Sequence, residues 1–213
     1  MPTLLQLDSS AELEHSRSRA ITAAFADAWR AIDDDHTVVV RDLHRDQLPH
    51  LASADLHWPE RLRPEGADVP ADAEALQAEL IDELLGADVV VIGAPLYNYS
   101  MPSTLKAWID NIHVPGFTAP FDLPVQPLAG RPVVIVSSRG ASYDTGSPSE
   151  GWDHAVPPLT LILGGALGMT VSVITTSLTL AETVPALADQ LDRSRAEFAA
   201  AKTEAERLAR ELG

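Results

Sequence analysis

Three clusters of polar and aromatic residues carry the chemistry open to this chain. Leu96-Tyr97-Asn98-Tyr99 sets two phenol rings around an amide. Ser9, Ser10, Ser16, Arg17 and Ser18 gather hydroxyls and a guanidinium in a short polar stretch. Ser137-Ser138-Arg139-Gly140-Ala141-Ser142-Tyr143 adds hydroxyls around a glycine that lets backbone come close to a ligand edge. The first cluster suits a flat, hydrogen-bonding cofactor better than a sugar or a metal. The second makes a monophosphate site if a helix start supplies N–H groups. The same serines also serve as ordinary helix caps, and the glycine as an ordinary turn. No nucleophile is paired with a base, and no GxSxG elbow is present. The seven histidines are scattered without HExxH or HxH spacing, which speaks against a metal site. The chain has no cysteine, so disulfides, thiolate catalysis and Cys-ligated clusters are excluded. Neither GxGxxG nor GxxxxGK[ST] occurs, so a dinucleotide fingerprint and P-loop chemistry are unsupported.

Each cluster follows an apolar run that can position it. Residues 89–94 form a third strand that begins as a continuous apolar β-branched run, which suits a strand buried on both faces. Pro95 stops it, and Ser100 can cap a helix that Pro102 starts. Leu105, Trp108, Ile109 and Ile112 then share one helical face. Leu96 to Ser100 thereby lie at the carboxyl end of a parallel strand, where open α/β sheets bind ligands. Residues 3–7 form a first strand before the serine cluster, and Ile21, Ala24, Phe25, Ala28 and Trp29 mark the helix after it. Residues 37–41 are a second strand, 132–138 a fourth and 170–176 a fifth. Residues 71–85 read as a helix, and 184–212 as the last one. Residues 155–167 are apolar almost all round, so a buried helix is expected there. The stretches 42–70, 115–130 and 139–153 read as loops, and loops this long often carry function. Strands alternating with helices predict an α/β doubly wound five-stranded parallel sheet in a single domain over residues 1–213.

The 213 residues, 46% hydrophobic, suffice for a real core. A formal charge of −16 argues against nucleic acid and against anionic membrane surfaces. No apolar run is long enough to span a bilayer, and the N-terminal stretch lacks a basic n-region. A cytoplasmic protein is the expectation.

Taken together, the serine turn, Pro-Leu-Tyr-Asn-Tyr, the following Pro-Ser-Thr-Leu-Lys-Ala-Trp-Ile-Asp helix and the Ser-Arg-Gly turn resemble one family. It is the FMN-dependent NADH:quinone oxidoreductases, also called FMN-dependent azoreductases. Val39-Val40-Arg41-Asp42-Leu43 is similar to that family's second strand. The resemblance implies a flavodoxin-like fold with strand order 2-1-3-4-5 and a homodimer with sites at the subunit interface. It assigns the FMN phosphate to Ser10, Ser16, Arg17 and Ser18. It rests the isoalloxazine on Leu96, Tyr97, Asn98 and Tyr99, with Ser138, Arg139, Gly140 and Ala141 along its other edge. The implied mechanism is ping-pong: reduced nicotinamide, NADH or NADPH, gives hydride to flavin N5 and leaves, and a small aromatic acceptor then takes it. No catalytic side chain is implied, because the cofactor carries the chemistry.

The chain departs from the family's pattern at three places. Ala141 replaces a second glycine, Tyr143 stands where a histidine is common, and residues 117–124 replace the family's Phe-Arg-Tyr-Thr stretch. Trp58, Phe117, Phe121 and Tyr143 are expected to wall the acceptor pocket and to set an unusual acceptor choice. Two other functions fit the same fold. One is a flavodoxin-type electron carrier, which the long 42–70 excursion disfavours. The other is an NAD(P)H-dependent flavin reductase, for which flavin is a substrate.

Overall fold

The computed structural model describes every residue from Met1 to Gly213. Five parallel strands form one sheet in the order β2-β1-β3-β4-β5. They are β1 (Thr3–Asp8), β2 (Thr37–Asp42), β3 (Val89–Gly93), β4 (Pro132–Ser138) and β5 (Thr170–Thr176). The expected strand order and doubly wound architecture are therefore observed. β3 sits at the centre, and all five of its residues are buried.

Side chains alternate across the sheet and build two cores. Leu5, Leu7, Val90, Ile92, Val133 and Ile135 pack under α2 (Ala71–Gly86) and α3 (Ser103–Ile112). Leu4, Val89, Val91, Val134, Val136 and Ile174 pack under α1 (Arg17–Arg30) and a long C-terminal helix, Leu191–Leu212. The helical faces agree with their spacing: Ile21, Phe25 and Trp29 of α1 are fully buried, as are Leu105, Trp108 and Ile112 of α3. Full burial of such side chains contributes roughly 1.5–3 kcal/mol each, which outweighs any local propensity.

Two expectations fail for physical reasons. Ser100 does not cap α3. Pro102 occupies the cap position in an extended conformation, and the Ser100 hydroxyl donates instead to the His154 carbonyl at 3.1 Å. Nor are residues 155–167 a helix buried all round. They form α4 (Val156–Thr160), which runs into a π-helical turn, Leu161–Ala166, where the Leu167 N–H reaches back to the Ile162 carbonyl at 2.9 Å. Leu159, Leu163 and Leu167 face the sheet, while Leu161 is 70% exposed. Only one layer lies beside this segment, so the other side of an all-apolar sequence is left bare. Gly168 ends it at φ +75°, with the Gln126 carboxamide 2.6 Å from where a Cβ would sit.

The last helix, α5, starts at Leu191, and the residues before it, Pro185–Gln190, form a 3₁₀ turn. The 42–70 excursion holds two further 3₁₀ turns, Ala54–His57 and Glu60–Leu62. It is not wholly superficial, since Leu43 and Leu56 are buried. No helix is long and apolar enough to cross a membrane.

Candidate functional site

The carboxyl ends of β1, β3 and β4 open on a cavity of about 470 Å³, within the ordinary range for cofactor sites. Ser10, Ser16 and Arg17 line one end of it. Leu96, Tyr97, Ser138 and Gly140 line the other, and Thr179, Leu180 and Glu182 close one side.

At the first end, α1 begins. Helix starts leave N–H groups without intrahelical acceptors. The Ser16 hydroxyl caps Arg19 N at 3.3 Å, and Ala20 N reaches the Ser16 carbonyl at 3.1 Å. The N–H groups of Arg17 and Ser18 find no acceptor in the protein. With the hydroxyls of Ser10 and Ser16 beside it and the helix dipole behind it, this is an anion cradle.

Two arginines support the cradle. Arg19 sends Nε and Nη2 to the Ser10 carbonyl at 3.2 and 2.7 Å, and its fork grips Asp42 at 2.7 and 2.8 Å. Burial is the largest single influence and raises the Asp42 carboxyl, but the Arg19 hydrogen bonds and charge together with the N–H groups of Arg45 and His44 outweigh it and hold the pKa below its ordinary value. The Arg17 guanidinium turns toward α5: it donates to the Ser194 hydroxyl and carbonyl at 2.7 and 3.0 Å, and pairs with Glu182 at 3.1 Å. Its side chain thus pins the start of α1 to α5, while its backbone N–H stays at the cradle. Behind β1, Asp8 accepts from Thr22 at 2.7 Å and Gln6 at 2.8 Å, and burial pushes its carboxyl up.

The turn after β3 is a tight reversal. Tyr97 and Ser100 exchange backbone hydrogen bonds at 2.8 and 3.0 Å. Asn98 and Tyr99 between them have φ of 49° and 68°. Two consecutive non-glycine residues in the left-handed region mark strain that the surroundings must hold. The Tyr97 hydroxyl lies 3.1 Å from the Ser10 hydroxyl and accepts from Ala11 N at 3.0 Å, which ties this turn to the serine cradle.

The turn after β4 is fastened to both neighbours. Leu96 N donates to the Ser138 carbonyl at 2.9 Å, and Arg139 N to the Thr176 carbonyl at 2.9 Å. Thr179 N and Leu180 N donate to the carbonyls of Arg139 and Gly140 at 3.0 and 3.2 Å. Leu180 lies 3.0 Å from where a Gly140 Cβ would stand, so a side chain there would strain the wall. The Arg139 side chain runs to Asp153 at 2.5 Å and lies over the Tyr143 ring, 5.8 Å from its centroid. Burial pushes the Tyr143 phenol up.

Seven of the residues singled out from the sequence therefore line one cavity: Ser10, Ser16, Arg17, Leu96, Tyr97, Ser138 and Gly140. Asn98, Tyr99, Arg139 and Ala141 sit in the two turns that frame it, and Ser18 is fully buried in the first turn of α1. The four acceptor-side residues fall into two groups within one chain. Trp58 packs edge-to-face on Phe121 at 4.9 Å and, with Phe117, borders a separate slot of about 220 Å³ beside α2. Tyr143 stays with Arg139. Arg19, Asp42, Trp152, Asp153 and Glu182 also build the site and were not among the residues expected there. The Arg-Asp that ends β2 gives a sequence signal for Asp42; the others give none without coordinates.

Comparison with known proteins adds to this geometry. Residues 2–206 match the model of a family described as having a flavodoxin-like fold. A Kineococcus radiotolerans protein named FMN-dependent NADH:quinone oxidoreductase is 59% identical over 212 residues, spanning 100% of both chains. A protein of the same name from Frankia casuarinae is 44% identical over 212 residues, covering 94% of this chain and 97% of its own. Among solved structures, an azoreductase from Bacillus anthracis strain Sterne superimposes with a TM-score of 0.82, over 99% of this chain and 100% of its own, at 23% identity. An FMN-dependent NADH-azoreductase from Bacillus anthracis strain Ames Ancestor, in complex with FMN, gives a TM-score of 0.77 at 18% identity, over 98% of this chain and 100% of its own. At these identities the two structures speak to the fold.

Proposed function

The chain belongs to the family of FMN-dependent NADH:quinone oxidoreductases with a flavodoxin-like fold, and we propose that it holds FMN in the cavity above β1, β3 and β4 and reduces quinone or azo-type aromatic acceptors. The observation that carries this reading is the start of α1: two unpartnered N–H groups and two hydroxyls converge on a cavity of about 470 Å³ whose far end is walled by Leu96, Tyr97 and Gly140. The residues fit a phosphate at one end and a ring at the other.

Ser10, Ser16 and the N–H groups of Arg17 and Ser18 would hold the phosphate. Leu96 to Tyr99 would carry the ring, with residues 138–141 along its opposite edge. Bound FMN supplies the redox chemistry, exchanging hydride with nicotinamide and acceptor. The protein binds, orients and excludes water; no side chain is needed to move a proton for hydride transfer. A single cavity mouth that admitted donor and acceptor in turn would make the scheme ping-pong. NADH is the donor in the relatives' name, and NADPH is the alternative to test.

The same proposal makes the working unit a homodimer, in the cytoplasm where reduced nicotinamide is supplied. Its support is apolar surface left bare in one chain: Leu161 is 70% exposed, Phe121 64%, Trp152 49% and Leu123 48%. A second copy would cover such residues and close the acceptor side.

The test is the visible spectrum of the purified protein, followed by heat release and chromatography of the cofactor and by anaerobic bleaching with NADH or NADPH. FMN, bleached by nicotinamide and restored by a quinone, is expected. Recovery of FAD, or no flavin uptake, overturns the reading. Flavin that exchanges freely during turnover would make the protein a flavin reductase, and bleaching without quinone reoxidation would make it a carrier.

A further inference from the structure

The tripeptide Trp152-Asp153-His154 belongs to no strand or helix, yet it touches both turns that frame the cavity. Trp152 stands edge-on to Tyr99 at 5.4 Å, and His154 N donates to the Tyr99 carbonyl at 2.8 Å. The Ser100 hydroxyl donates to the His154 carbonyl at 3.1 Å. These contacts hold the turn in which Asn98 and Tyr99 keep positive φ. Between them, the Asp153 carboxylate does two things. Its Oδ2 accepts from Arg139 Nη2 at 2.5 Å, and its Oδ1 accepts from the N–H groups of Ala155 and Val156 at 2.9 and 3.0 Å.

We propose that Asp153 is a positioning residue of the cofactor site: it sets the Arg139 guanidinium, and through it the 138–140 wall, while capping α4. This rests on the FMN reading above. Both side chains of the pair are only 14% exposed, so it is not one of the solvated pairs that contribute nothing measurable. The wall is tied on its other side by backbone bonds from Thr179 and Leu180 and by Arg139 N to Thr176. Asp153 is the only carboxylate paired with Arg139. The Arg139 Nε–H is buried with no acceptor in the protein, so the fork has no other side-chain hydrogen bond and otherwise only faces the Tyr143 ring. Without Asp153, a buried guanidinium lacks its counter-charge and must swing toward water. Residues Ser138 and Gly140, on either side of it, line the cavity and would move with it.

The experiment uses the full chain with FMN as the probe. Asp153→Asn keeps an acceptor for the α4 cap but loses the charge that Arg139 reads. It should fold, by circular dichroism, bind FMN about tenfold more weakly in a flavin-fluorescence titration, and show an altered flavin absorption band. Arg139→Gln should weaken FMN to a similar extent. The double variant should be no weaker than either single one, because Asp153 acts through Arg139. Wild-type FMN affinity and band shape in folded Asp153→Asn overturn the proposal, as do effects that multiply in the double variant. If Asp153→Asn does not fold, Arg139→Gln opens the same pair from the other side. Weakened FMN there supports the proposal, and wild-type affinity overturns it. A wild-type chain that takes up no FMN overturns the functional reading itself, which separates the two failures.

Discussion

The serine cradle and the Trp58–Phe121 cluster were both expected at the reaction site, and they are built in opposite ways. Ser9, Ser10, Arg17 and Ser18 are all at most 5% exposed, and their side chains are held by hydrogen bonds to Gly93 of β3, the Tyr97 hydroxyl, Ser194 of α5 and the Ser16 hydroxyl respectively. Phe117 and Phe121 are 43% and 64% exposed and meet no cavity shared with the cradle. Buried polar groups are costly unless every donor finds a partner, so such a region must be completed within one chain. Exposed rings have no such constraint and gain by being covered. On the proposed reading, one chain finishes the cofactor end, whereas a second copy would cover the acceptor end.

The comparison breaks most visibly at Arg17. Arg17→Ala removes a buried guanidinium and leaves Ser194 and Glu182 without it. A stability loss of about 3 kcal/mol is expected in urea unfolding, together with weaker FMN binding. A loss under about 0.5 kcal/mol would mean that the cradle is not internally braced. Asp42→Asn comes next, with about 1–2 kcal/mol lost at pH 7. Its pH dependence has a definite sign. Against burial, Arg19 and the N–H groups of Arg45 and His44 together hold the folded-state pKa of Asp42 below its ordinary value. The resulting stability is present above the unfolded value, about 3.9, and is lost as pH falls through the folded one. The melting temperatures of wild type and variant should therefore converge toward acid pH; a constant gap from pH 7 to pH 2.5 would contradict the pairing.

Phe121→Ala sharpens the other side. An exposed ring should cost less than about 0.5 kcal/mol of stability and leave FMN affinity unchanged. It should lower acceptor kcat/KM by about three- to tenfold in stopped-flow reoxidation, with flavin reduction by NADH nearly intact. A slowed reductive half-reaction with normal reoxidation would remove the 117–124 loop from the acceptor side.

How far this is legible in the sequence follows the same division. β4 stands where its β-branched run puts it, because a strand buried on both faces reads as a continuous apolar stretch; the half-exposed edge strand β5 is legible only from its β-branched residues. Ser9, Ser10 and Ser16 precede α1 as read, because capping is local chemistry, while Ser18 falls inside its first turn. What local chemistry does not encode is where a long side chain goes: Arg17 reaches α5 over a sequence separation of 177 residues. Trp152 and Asp153 were hidden for the same reason, since a Gly/Ser/Asp-rich loop shows no period and their partners are Tyr99, in the turn after β3, and Arg139, at the far end of the same loop. The all-apolar 155–167 segment reads as buried because sequence does not say which layer covers it. In one chain that layer exists on one side only, and Leu161 is left in solvent.

The most direct test of that division follows specific activity and FMN binding across a protein dilution series, with assembly state measured by light scattering at each concentration. Dimers should reduce quinone at full rate, and monomers formed on dilution should still bind FMN but lose most quinone reduction. Monomers that reduce quinone as fast as the assembled protein would contradict that division.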